Sequence, residues 1–269
     1  MGRARADAVL AARGLFPSAA QARAAILAGE VRVAGVRVAK AGEIVDEDAE
    51  FEIAEHPRFV SRGGLKLAGA LDAFGTDVTG LRCVDVGAST GGFTDCLLSR
   101  GAASVCAVDV GYGQLAWELR NDPRVAVFER TNIRQADPAA LGAPFDLAVV
   151  DVSFIALAKV LPQVLALVSG GGAGERDGQM LGLVKPQFEI GKGRVGKRGV
   201  VSDPGAHTEV LESVDAAVAE LGWVVTGRTF SPVKGPEGNI EFWVRVQLEG
   251  PAPDATAAEV VAEAHETLG

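Results

Sequence analysis

Lys66, Asp151, Lys185 and Glu241 are the residues whose types and places suit proton transfer at a hydroxyl. Asp151 ends an apolar strand, in Asp151-Val152-Ser153-Phe154, and Lys185 ends the next, in Gly182-Leu183-Val184-Lys185-Pro186-Gln187-Phe188. Ligands of open α/β sheets bind at the carboxyl ends of the strands, so these two residues share that edge. Glu241 stands at the start of the last strand. If that strand runs antiparallel, its beginning faces the same edge. Lys66 lies on the helix before the first strand of this region. Two lysines and two acids can therefore converge. A hydroxyl is a poor nucleophile near neutral pH, and a positioned amine can help remove its proton. Burial and the positive Lys66 favour a neutral Lys185, whereas Asp151 and Glu241 favour the charged form. Lys185 either takes the proton or positions the hydroxyl while water takes it.

A second constellation is Asp85-Val86-Gly87-Ala88-Ser89-Thr90-Gly91-Gly92-Phe93, between a buried strand and a helix. Glycines there let the backbone turn sharply and approach a ligand closely. The spacing is Gly-x-x-x-Gly-Gly, not the Gly-x-Gly-x-x-Gly of dinucleotide domains. An acid at the strand end would repel a pyrophosphate but suits the ammonium of a methionine moiety. Asp109, after the second strand, can accept both hydroxyls of a ribose. Asn132, after the third, is either an adenine-side contact or a turn residue. S-adenosylmethionine (SAM) is the cofactor these residues predict. The Pro-Pro that follows the Asp or Asn in many amino-methyltransferases is absent after Asp151, which argues against base N-methylation. No metal-ligand spacing is present; Cys83, Cys96 and Cys106 read as free thiols.

The elements that must position these residues are legible from periodicity. Residues 65–74 read as a helix, 81–86 as a strand and 93–99 as the helix after it. Strands follow at 105–110, 125–129, 145–150 and 180–184, with a final antiparallel pair at 223–230 and 240–248. The predicted class is α/β: a Rossmann-like methyltransferase sheet of five parallel strands closed by an antiparallel hairpin. Residues 170–178 read as a flexible loop. Before the sheet, Ala6–Ala12 and Ala19–Ala28 read as helices, the second capped by Ser18 and stopped by Gly29. Val31 to Val38 reads as a tight hairpin. These elements make a small α+β domain at 1–55, followed by a linker at 56–62, the methyltransferase domain at 63–250 and an acidic tail at 251–269.

The chain has 269 residues, 48 % of them hydrophobic and 23 % charged, with a net charge of −9. That composition is globular rather than disordered. No apolar run approaches the roughly 18 residues that span a bilayer, and no signal-peptide core precedes Asp7, so a cytoplasmic location is expected. Up to Lys40 there are seven basic residues and two acids; from Glu43 to Glu55 there are seven acids and no Lys or Arg. A basic head on an acidic body predicts local contact with a polyanion. Arg3, Arg5, Arg23, Arg32, Arg37 and Lys40 are its candidates, joined by Arg62. The glycine- and base-rich run containing Lys192, Arg194, Lys197 and Arg198 reads as a phosphate clamp beside Lys185. His56, His207 and His265 are isolated and receive no role.

Two resemblances sharpen these expectations. Gly14-Leu15-Phe16-Pro17-Ser18, Ala22, Ile26 and Gly29-Glu30-Val31-Arg32-Val33-Ala34-Gly35 resemble the S4 RNA-binding domain, with Ala19 where that family usually has a basic residue. Val60 to Leu67, Asp85 to Asp95, Asp151 to Ile155 and Val184 to Glu189 resemble the TlyA family of ribosomal-RNA 2′-O-methyltransferases, once labelled haemolysins. Its catalytic domain is FtsJ-like and uses a Lys-Asp-Lys-Glu tetrad, which Lys66, Asp151, Lys185 and Glu241 match. The resemblance implies SAM as cofactor, ribosomal RNA or ribosomal subunits as partner, a cytidine ribose as target, and no required protein partner. A membrane-active haemolysin would need a long apolar or strongly basic amphipathic segment, and none is evident. A non-catalytic RNA-binding protein would show a broken glycine turn or a missing tetrad member. A small-molecule methyltransferase would leave the basic head without a purpose.

Overall fold

The computed structural model describes residues 2–53, 58–170, 178–191 and 193–269. The chain divides into two compact units, residues 1–58 and 59–269.

In the first unit the helices Ala6–Ala12 and Ala19–Ala28 form where the sequence places them. The Ser18 hydroxyl accepts the Gln21 N–H at 3.3 Å, and Gly29, at φ 85°, ends the second helix. Val31–Val33 pairs with Val36–Arg37 as the expected hairpin, and on its other side with Phe51–Ile53. That third strand, and a two-stranded pairing of Arg3–Arg5 with Ile44–Asp46, were not expected. Strands of three residues leave too little alternation to read. Leu10, Ile26 and Val31 are fully buried and centre a small core.

The second unit holds helix α1 (Gly63–Ala73), strand β1 (Arg82–Val86), α2 (Gly92–Ser99), β2 (Ser104–Val108) and β3 (Val125–Phe128). There follow β4 (Leu147–Val150), α3 (Leu161–Val168), β5 (Gln179–Val184), α4 (Pro204–Glu220), β6 (Val224–Phe230), β7 (Phe242–Gln247) and α5 (Ala257–Leu268). The seven strands lie in the order β3-β2-β1-β4-β5-β7-β6. Neighbours from β3 to β5 are parallel, and β7 pairs antiparallel with both β5 and β6. Strand order reverses between β1 and β4, which opens a crevice at their carboxyl ends.

Both faces of the sheet are covered, so the strands are apolar on both sides. One face carries α1 and α2 over Cys83, Val105, Leu147, Leu181 and Trp243. The other carries α3, α4 and α5 over Val84, Cys106, Ala148, Met180 and Val244. All three cysteines are free and buried.

Two expectations need correction. Residues 251–269 are not a tail. Thr256 and Glu259 form a capping box, and α5 buries Ala257, Val260, Val261 and Ala264 in the core. The acids that made the segment look solvated occupy its outer face, while its apolar residues recur at helical spacing. The end of the expected linker is also structural. Phe59 is 3 % exposed, and the Val60 N–H donates to Asp95 Oδ2 at 2.8 Å. Of the loop expected at 170–178, residues 171–177 lie outside the described residues.

Candidate active site

The glycine turn and the end of β4 meet in the crevice. Gly87 sits at φ 90°, and a Cβ there would lie 2.3 Å from the Asp151 carbonyl oxygen. Only glycine lets the two loops approach this closely. Around the contact lie three cavities. One of about 470 Å³ is lined by Val86, Asp109, Asn132, Ile133 and Val152. A second of about 400 Å³ is lined by Ser61, Arg62, Ala88, Thr90, Gly92 and Phe93. The third, of about 620 Å³, is lined by Ser153, Phe154, Lys185, Gln187, Phe188 and Glu241. Gly87, Ser89 and Asp151 border all three.

Asp109 holds the rim of the first cavity. It accepts the Ser89 N–H at 2.8 Å and the Gly111 N–H at 2.6 Å, one on each carboxylate oxygen. Asn132 also lines this cavity, and its side chain accepts the Arg134 N–H at 3.1 Å to cap a short helical turn. Asn132 thus caps a turn and borders the cavity. Gly91 caps α2, whose first residues are Gly92 and Phe93; the Phe93 ring lies 5.4 Å from that of Trp243.

Asp85 departs from expectation. It is 0 % exposed and lines none of these cavities. Alternation along β1 turns it to the α2 face, with Cys83. There Thr94 donates its hydroxyl to Oδ2 at 2.7 Å, and Oδ1 has no partner. Burial pushes its carboxyl up to about 7, against the Thr94 hydrogen bond.

The four acid–base candidates do converge. Lys66 pairs with Glu241 at 2.6 Å, with side chains 9 % and 1 % exposed. Burial raises the Glu241 carboxyl above its usual range, while Lys66 and Lys185 pull it down. The Lys185 ammonium is paired with Asp151 and donates to Ser153 Oγ at 2.9 Å. β7 is antiparallel, so Glu241, immediately before it, reaches the edge where Lys185 directly follows β5. All four residues line the third cavity.

The sequence gives Ser153 no role of its own, although it lies in the Asp151-to-Ile155 stretch that carries the resemblance. Asp151 N–H donates to Val86 O at 2.9 Å, and Leu157 N–H to the half-buried Glu189 carboxylate at 2.6 Å. Between these anchors Phe154 takes φ 64°, a costly conformation for a bulky residue. Its ring is 91 % exposed and lies 5.3 Å from that of Phe188.

The basic candidates are exposed but not all free. In the first unit Arg3 pairs with Asp46 and Arg5 with Asp7. Arg32 donates to Gly35 O and Arg37 to Leu27 O, while Arg23 and Lys40 are exposed. In the second unit Arg62 donates to Lys234 O at 3.0 Å and lines the second cavity. Arg194 is held by both oxygens of Glu209, at 2.5 and 2.7 Å. Arg198 is exposed at φ 63°. Lys192 and the Lys197 side chain lie outside the described residues.

The strand order, the glycine turn after β1, the acid after β2 and the lysine–acid cluster at one edge define a Rossmann-like methyltransferase. Residues 59–248 match the FtsJ-like methyltransferase model, and residues 4–51 match the S4 domain. The chain belongs to the FtsJ-like methyltransferase family. It is 52 % identical to the 16S/23S rRNA (cytidine-2′-O)-methyltransferase TlyA of Mycobacterium tuberculosis, over 92 % of this chain and 91 % of that one. A Brachyspira hyodysenteriae relative named Hemolysin A is 38 % identical over 88 % of this chain and 97 % of its own. A solved structure from Streptococcus thermophilus with a provisional hemolysin name is 41 % identical. It has a TM-score of 0.73 and covers 99 % of this chain and 97 % of that one.

Proposed function

We propose that the chain transfers the methyl group of SAM to the 2′-hydroxyl of a cytidine in ribosomal RNA, in 16S or 23S rRNA or both. The observation that carries this reading is the meeting of Lys66, Asp151, Lys185 and Glu241 in one cavity, which shares Gly87, Ser89 and Asp151 with two others. The 52 % identical relative supports the substrate. Among the described residues no helix is long and apolar enough to cross a membrane, so the hemolysin name of other relatives gains no support from the helices.

The donor fits the residues present. Asp109 keeps free lone pairs for a ribose diol, Asn132 and Ile133 border the adenine end, and the closely packed turn at Gly87 leaves room for the methionine end in the second cavity. Asp85, behind the turn, is buried against Thr94 and makes no contact with these cavities. When bound, SAM supplies a methyl group already activated by its sulfonium. The protein therefore has to align the hydroxyl in line with that methyl and take its proton. Lys185, in its neutral form, would accept a hydrogen bond from the hydroxyl and receive its proton at Nζ. Asp151 fixes Lys185 from β4. Lys66 and Glu241 form a nearly neutral pair that holds the far wall of the cavity. Exposed arginines of the S4 unit and of residues 194–198 provide the phosphate contacts.

The test is transfer of radiolabelled methyl from SAM to purified small subunits, large subunits and free rRNA, comparing wild type with Lys185→Ala. Label that maps to a ribose and disappears in the variant is expected, with SAM affinity retained. A Lys185→Ala variant of normal turnover would remove the basis for the tetrad.

A further inference from the structure

Building on that reading, we infer that Ser153 is a positioning residue for the reaction: its hydroxyl, with Asp151, orients the Lys185 amine toward the ribose hydroxyl. Lys185 Nζ has two protein acceptors on the β4 loop, Asp151 and Ser153 Oγ at 2.9 Å. A neutral amine carries two N–H bonds and one lone pair in a tetrahedral arrangement. With both N–H bonds held, one direction remains for the lone pair, and Lys185 faces the third cavity. With Asp151 alone as acceptor, the amine rotates about its terminal bond and spreads that lone pair over other directions. Orientation of the acceptor lobe is what makes proton removal effective.

The loop is built to make this contact. Asp151 and Leu157 are pinned by hydrogen bonds at 2.9 and 2.6 Å, to Val86 and Glu189. The strained residue, Phe154, directly follows Ser153 and is 91 % exposed, so no burial of its ring repays the φ of 64°. Strain held between two anchors points to a geometric demand. The demand visible here is the placement of Ser153 Oγ on Lys185. The Ser153 side chain is exposed to the cavity and carries no core packing. Its removal therefore costs little stability.

The experiment uses the full chain, SAM and the ribosomal substrate that wild type methylates, with Ser153→Ala and Ser153→Thr variants. Ser153→Ala is expected to lower kcat on the order of tenfold, the equivalent of one hydrogen bond. KM for the RNA and Kd for SAM should stay within about twofold by the same reasoning, because the Ser153 hydroxyl, although it borders the first and third cavities, is engaged by Lys185. Ser153→Thr keeps the hydroxyl and should recover most of kcat. Unchanged kcat in Ser153→Ala would overturn the inference. So would equal losses in Ala and Thr, or a loss that appears as weaker SAM binding, since each assigns the effect to the loop and not to the hydroxyl. Absence of RNA methylation by wild type would instead overturn the underlying function, and is distinguishable on that ground.

Discussion

Asp85→Asn should stabilise the protein at alkaline pH and not at acid pH. The Asp85 carboxyl is 0 % exposed, with one oxygen bonded to Thr94 and the other unpartnered. Burial raises it from 3.8 to about 7. A carboxyl raised in the folded state contributes stability that is present below its unfolded value and lost as pH rises through the folded one. Above about pH 7 the folded chain carries a buried charge that the unfolded chain hydrates freely. Asparagine removes the charge and keeps an acceptor for Thr94. Its own buried N–H₂ costs ~1–3 kcal/mol, but equally at every pH. The informative quantity is therefore the difference in ΔΔG between pH 8 and pH 5. Two pH units between 5 and about 7 correspond to about 3 kcal/mol at 1.36 kcal/mol per unit. For a unit of this size that is roughly 6–12 °C in Tm. The assay is thermal or urea unfolding of both proteins, without SAM, at the two pH values. An equal Asn-minus-Asp difference at both would show that Asp85 does not titrate between them, and would refute the account of a desolvated carboxyl.

Gly87→Ala places a Cβ 2.3 Å from a backbone oxygen at φ 90°. It should cost ~2 kcal/mol or more and abolish SAM binding, read by calorimetry and unfolding. Lys66→Met leaves the 1 % exposed Glu241 buried without its partner. It should destabilise by ~3–5 kcal/mol, whereas the double variant Lys66→Met/Glu241→Gln should recover most of that loss in urea unfolding. His207 Nε2 donates to Val201 O at 2.9 Å, and its Nδ1 accepts from His265 at 3.0 Å, joining α4 to α5. Burial lowers its pKa below 6.5, with the Val201 bond and Asp203 opposing. The stability it contributes is present above pH 6.5 and lost as pH falls through its folded value. Hydrogen exchange in α5, corrected for intrinsic rates, should therefore be faster at pH 5 than at pH 7.5; equal rates would contradict the histidine link.

Much of the sheet was legible because each strand is covered on both faces and reads as a short apolar run between glycine, proline or acidic turns. Periodicity found residues 65–74 against the observed α1 at Gly63–Ala73 and 93–99 against α2, but left α3 and α4 unassigned. It failed for α5, where charge was weighed before spacing. Val260 and Val261 lie one helical turn from both Ala257 and Ala264, and that stripe is the signal that Glu259, Glu263 and Glu266 obscured. The strands Ile44–Asp46 and Phe51–Ile53 are too short for alternation to rise above their acids.

The site was legible to the extent that backbone topology places side chains. Strand ends and the antiparallel sense of β7 are enough to bring Asp151, Lys185 and Glu241 to one edge, and the helix before β1 brings Lys66. What topology does not set is the direction in which each side chain leaves the strand. Asp85 and Asp109 look alike in sequence, each an acid near the end of a strand. Asp109 stands one residue beyond β2 and turns onto the rim, where backbone N–H groups meet both of its oxygens. Asp85 stands one residue before the end of β1, inside the pleat, and is directed against Thr94. A displacement of two residues relative to the strand end separates a cavity-lining carboxylate from a buried one. Ser153 escaped notice for a related reason. It lies beyond the strand, where the left-handed Phe154 sets direction, and no residue-type preference announces a phenylalanine at φ 64°.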